Sequence, residues 1–152
     1  MRRLFVLPLM FLALTINAQE HESVEDLAKD FVKALRKMET SSFIELYEKD
    51  SVIVENFNEK LGFNYHDSLI ADFNNLIKTG LEKGIDWNKI KFVKAEYITR
   101  TDGPFLIAQP TVIVFQHRLF RYAINMNCSR IEGDWGFVPI KRKVPDIYIK
   151  KI

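Results

Sequence analysis

The sequence predicts an α+β domain in which helices come first and an antiparallel sheet follows. Two observations carry this. Apolar residues recur at helical spacing through most of the chain before Gly84, and at strand-like spacing beyond it. The later segments follow one another through short turns, with no βαβ alternation and no glycine-rich phosphate loop.

The first helix follows a short polar lead. Ser23 is placed to cap it, with Asp26 three residues on in a capping box. Val24, Leu27, Ala28, Phe31, Val32, Leu35 and Met38 form one stripe, and Glu25, Asp26, Lys29, Lys33, Arg36 and Lys37 the other face. Acidic residues come early and basic ones late, as the helix dipole favours. Ser41 or Ser42 can cap a short second helix carrying Phe43, Ile44, Leu46 and Tyr47. The β-branched "SVIVENF" reads as a strand over 51–56, and Gly62 breaks whatever precedes it. Asp67 can cap a third helix with the stripe Leu69, Ile70, Phe73, Leu76, Ile77 and Leu81, and Gly84 stops it. Gly80 weakens that helix, since glycine costs about 1 kcal/mol against alanine.

Strands follow. "KIKFVKAEYITR" has a phase slip between Phe92 and Val93 that predicts a bulge. "TDGP" is a turn. "FLIAQPTVIVF" contains Pro110, which cannot donate to a ladder and so marks an edge or a bulge. "QHRL" is a further turn. In "RYAINMNCSR" the register Tyr122, Ile124, Met126, Cys128 is apolar and expected to face the core. Arg121, Ala123, Asn125, Asn127 and Ser129 take the opposite face. "IEGDW" makes a hairpin turn into "WGFVPIKRK", and "DIYIKKI" adds to a sheet edge or trails off.

This layout resembles the NTF2-like (SnoaL-like) superfamily, the α+β cone fold of cystatin-like appearance. The residues behind the resemblance are the helix pair "SVEDLAKDFVKALRKMETSSFIELY", a short strand and one more helix before a long antiparallel meander, and the final "YAINMNCSRIEGDWGFVPIK" with its polar-glycine turn and tryptophan-led strand. It spans nearly all of 19–152. It implies N-terminal helices packed on a curved antiparallel sheet, an apolar pocket enclosed by the cone, and a dimer joined through the sheet. It implies no particular chemistry, because one fold hosts many functions.

Residues 1–18 read as a secretory signal peptide. Arg2 and Arg3 form its positive start, 4–14 is apolar apart from Pro8, and Ile16 and Ala18 precede the cleavage point. The apolar stretch is short of the roughly 20 residues a membrane span needs. The expected product is one soluble exported domain, 19–152, periplasmic or secreted, with no membrane span. Arg2 and Arg3 account for the whole formal charge of +2. The expected domain is then neutral, which argues against a nucleic-acid partner. Cys128 is the lone cysteine, so no internal disulfide can form, and its register makes it a small buried hydrophobe.

No metal site is expected, because His21, His66 and His117 lie far apart without ligand spacing. His66 fits a helix entry. His117 fits an exposed position near a turn, or a base at a pocket mouth. Asp50 and Asp72 are the nearest acid–base candidates, Asp50 better suited to a cap and Asp72 to solvent. No catalytic residue is assigned and no cofactor is expected. Tyr47, Tyr97, Tyr122, Met126 and Trp135 are the candidates to line a pocket for a small apolar ligand. Arg121, Asn125 and Asn127 are candidates for a homodimer interface through the sheet. Lys141–143 with Lys150 and Lys151 could touch an anionic surface, although a solvated strand end explains them as well. The expected role is an exported, non-enzymatic NTF2-like domain binding a small apolar ligand or a protein partner. The alternatives are a pocket enzyme of the isomerase or dehydratase type, and a structural interaction module with a filled cone.

Overall fold

The computed structural model describes residues 21–47, 49–62, 64–131, 133–139 and 149–152. The expected signal peptide, Lys141–143 and the first part of "DIYIKKI" lie outside them. Helix α1, Val24–Lys37, is capped as its sequence requires: the Asp26 N–H donates to Ser23 Oγ at 3.1 Å, and Ser23 Oγ donates to Asp26 Oδ2 at 2.7 Å. It buries Val24, Leu27, Ala28, Phe31, Val32, Ala34 and Leu35. Helix α2, Thr40–Ile44, starts at Glu39 rather than at a serine cap; Ser42 Oγ donates to Glu39 Oε2 instead.

The segment read as a strand over 51–56 is helical. Helix α3 runs Ser51–Leu61, and both its ends explain why. Asp50 Oδ1 accepts from the N–H groups of Val52 at 2.9 Å and Ile53 at 3.3 Å. At the other end Gly62, at φ 65°, returns its N–H to Asn58 O. Two good caps outweigh the strand preference of three β-branched residues, which reflects packing on a pleated surface more than an intrinsic backbone preference. Helix α4, Tyr65–Glu82, is capped by Asn64, whose side chain accepts from Asp67 N; Asp67 is thus the capped residue, not the cap. The buried face is Tyr65, Leu69, Phe73, Leu76 and Gly80, and Leu81 at 56% exposure falls off it. Gly80 takes Leu81's expected place because the Trp87 ring lies where a side chain would stand.

The strands are β1 (Lys91–Asp102), β2 (Phe105–His117), β3 (Phe120–Ile131), β4 (Asp134–Val138) and β5 (Ile149–Lys151). They form an antiparallel meander in the order β1-β2-β3-β4, and β5 pairs with the stretch of β3 that β4 leaves free. Both expected bulges are present. The β1–β2 register shifts between Phe92 and Lys94, and the β2–β3 register shifts between Ala108 and Thr111, where Pro110 sits. Pro110 therefore occupies a bulge in an internal strand.

The sheet is open and does not curl into a cone: β1 forms one edge, β4 and β5 the other, and no pairing among the described residues closes it. The NTF2-like resemblance and the curved-sheet fold class are therefore incorrect, while the α+β order of helices and sheet stands. Alternation specifies which face of a strand is apolar but not whether a meander closes on itself. The functional readings built on that cone fall with it: an NTF2-like binder of a small apolar ligand or partner, an isomerase-type pocket, and a filled cone.

One core joins the helices to one sheet face. Phe31 of α1 meets Phe137 of β4 edge-on at 5.3 Å and Phe43 of α2 at 5.9 Å. Phe43 in turn meets Phe73 of α4 at 4.9 Å and Tyr47 at 5.1 Å. Tyr47 closes the ring on Phe137 at 5.7 Å, and the Phe137 N–H donates to Leu46 O at 2.8 Å. Each such ring pair adds roughly 0.5–1.5 kcal/mol to its area burial. A second group sets Trp87 tilted against Phe115 and stacks Phe115 on Tyr122.

Candidate functional site

The inner face is occupied by packed side chains. Tyr47, Tyr122, Met126 and Trp135 are all buried members of the core, whereas Tyr97 is 43% exposed on β1. The structure thus gathers four of the five pocket candidates into the core and leaves the fifth at the surface. Cys128 is buried beside them, opposite Phe137.

Within this interior Tyr47 has polar company that its sequence position gave no hint of. Burial pushes its phenol well above the ordinary tyrosine range, and Asp72, Tyr65 and Cys128 add to the shift in that order. Asp72, expected in solvent, is half-buried here. The available signal was the spacing: Tyr65 and Asp72 are seven residues apart, two turns along one helix face. Asp50 is the α3 cap. His66 sits exposed in the first turn of α4.

His117 is 2% exposed, not at a solvent-facing turn. The Asp86 N–H donates to its Nε2 at 3.3 Å, so that nitrogen carries a lone pair and the imidazole ties β2 to the loop ahead of β1. Asp86 is held below the ordinary carboxylate range, first by its bond from Lys89, with Lys89 Nζ 2.7 Å from Oδ2. His21 is buried against Asp30, Nε2 to Oδ2 3.2 Å, and its carbonyl accepts the Trp135 N–H. Among the described residues no three His, Cys, Asp or Glu side chains stand together as metal ligands.

The opposite face differs in kind. The cross-strand rows Glu96–Val112–Asn125 and Lys94–Val114–Ala123–Lys150 run across it. Val114 and Ala123 are buried but lie outside the cluster that joins the helices to the sheet. Short residues in the middle of a sheet are screened by longer neighbours, which explains why Ala123 and Ser129 are less exposed than a wet face suggests. Arg121 and Asn125 are exposed and Asn127 is half-buried on the same face. Ile98, in step with Lys94 and Glu96, is 66% exposed. Its apolar side chain in the polar register of β1 was readable in the sequence.

The edge beside this face is blunted. β1 carries Lys91, Lys94, Glu96 and Arg100 and the bulge at Val93, and Lys94 pairs with Glu96. Charges and bulges of this sort oppose strand addition at an edge. Among the described residues no helix is long and apolar enough to cross a membrane. The chain matches no family model, no curated protein and no solved structure.

Proposed function

We propose that the chain is exported, trimmed after Ala18, and pairs with a second copy through the outer face of its sheet. The observation that carries this is Ile98, 66% exposed on β1 two residues beyond Glu96, the partner of Val112, on a face that bears both signs of charge in Lys94 and Glu96. A twofold pairing sets a surface against itself, so a face bearing both signs can satisfy itself. The β1 edge beside this face is blunted, which favours the face over that edge for association. Asn125 and Asn127 would form the polar part of this contact and Ile98 with Val112 its apolar part, while Arg121, at the turn end of β3, stays clear of it.

Light scattering on a sizing column tests the pairing. A dimer is expected, with Ile98→Glu converting it to a monomer. A monomeric wild type at high concentration removes the proposal. Export is tested separately by the N-terminal sequence of the cell-processed protein, which should begin at Gln19; an intact Met1 in the exported fraction contradicts trimming.

A further inference from the structure

At one end of the sheet, the turn between β2 and β3 carries Arg118 and Leu119, and β5 ends alongside it. Leu119 is 92% exposed, Phe120 47% and Ile152 59%. The Ile152 N–H donates to Arg121 O at 3.0 Å, which holds β5 against the turn. Lys151 Nζ lies 3.3 Å from the Phe120 ring centroid. Lys150 pairs with Ala123 and Lys151 with Tyr122, so the two lysines fall on opposite faces of the same end. Arg118, Arg121, Lys150 and Lys151 thus surround an apolar apex. Among the described residues, none of the four forms an ion pair with a carboxylate.

The turn is also built against its own preference. Arg118 adopts φ 54°, the left-handed region that two-residue hairpin turns usually give to glycine or asparagine. Gln116 Nε2 braces it by donating to Arg118 O at 2.7 Å. Neither residue of this turn is chosen for turn chemistry, and the apolar one projects furthest into solvent.

We propose that this end of the sheet docks on an anionic lipid surface. Leu119 and Phe120 would enter the headgroup region, and the four cations would meet the lipid phosphates. The combination selects the occupant. Cations alone would suit any polyanion, but an exposed aliphatic apex gains free energy only where apolar material accepts it. Juxtaposed lysine and arginine contribute additively near a charged bilayer. The docking is peripheral and requires no spanning segment.

The test is co-sedimentation of the cell-processed protein with vesicles of phosphatidylcholine alone, or mixed with phosphatidylglycerol. Wild type should bind the mixed vesicles more tightly, and added salt should weaken that preference. Lys151→Gln should reduce binding to the mixed vesicles about fivefold, the effect of one cation near the surface. Leu119→Ser should reduce it about tenfold through the lost apolar insertion. Both sites are exposed, and circular dichroism confirms that each variant is folded. Every variant carries the same N-terminus, so the differences report the turn. No preference for the mixed vesicles overturns the proposal. So does a Leu119→Ser variant that binds as wild type, or equal binding to heparin that ignores Leu119→Ser, since either marks simple cation exchange.

Discussion

Gly80→Ala separates two opposing forces in helix α4. Helix propensity alone says alanine should stabilise an interior helical position by about 1 kcal/mol. The structure says the opposite. A Cβ at Gly80 would come within 3.0 Å of three Trp87 ring atoms, Cζ2, Cε2 and Cη2. That ring has little freedom to yield: Trp87 is 1% exposed, packs tilted against Phe115, and donates from Nε1 to Ile77 O at 3.0 Å. Forcing a methyl into such a site costs about 1–3 kcal/mol. Displacing the indole also strands a buried donor, at about 1–3 kcal/mol. Set against the propensity gain, a net loss of about 1–5 kcal/mol follows, with a Tm drop of roughly 3–20 °C. Urea unfolding should show a lower midpoint at unchanged slope. In a Trp87→Leu background the same alanine should cost little or stabilise, because its obstacle is gone. A wild-type background in which Gly80→Ala raises stability would refute the reasoning.

Other predictions concern the caps and the buried phenol. Asp50→Ala should cost about 1 kcal/mol and speed amide exchange in the first turn of α3, because Val52 and Ile53 lose their acceptor; exchange rates unchanged there would contradict the cap. Tyr47 is held neutral by burial, so its folded pKa lies above its unfolded value near 10.0. Its contribution is therefore whole below that pH and is lost as pH rises beyond it, because the unfolded chain ionises first. Tyr47→Phe should flatten the alkaline decline of the urea midpoint between pH 8 and pH 11, at roughly those values. An equally steep decline in both proteins would show that Tyr47 does not carry it.

How far the structure could be read in advance varies by element, for physical reasons. Helix α1 was legible because its stripe, its cap and its charge order all agree. The strand phases were legible too, down to the bulges at Val93 and Pro110, since a broken alternation has few other causes. Helix α3 was not, because Val52, Ile53 and Val54 favour a strand locally while Asp50 and Gly62 decide the outcome from outside the run. Gly80 was misjudged as a weakness because its reason, Trp87, lies across a turn. The cone was wrong because closure depends on how whole strands bend and pair, which alternation does not encode. The surfaces fared in between. Arg121 and Asn125 lie on the outer face, as their register indicates, but Ile98 and Leu119 passed as ordinary strand and turn residues. Both were exposed apolar side chains in polar company, the one kind of signal that periodicity alone discounts.

The outer sheet face is the centre of the functional account, and its most direct test is the solution mass of the cell-processed protein with and without Ile98→Glu. Sedimentation equilibrium over a wide concentration range should return twice the chain mass for wild type and the single-chain mass for the variant, with both folded. A wild type that stays at the single-chain mass throughout would contradict the account, and so would a dimer that survives Ile98→Glu unchanged.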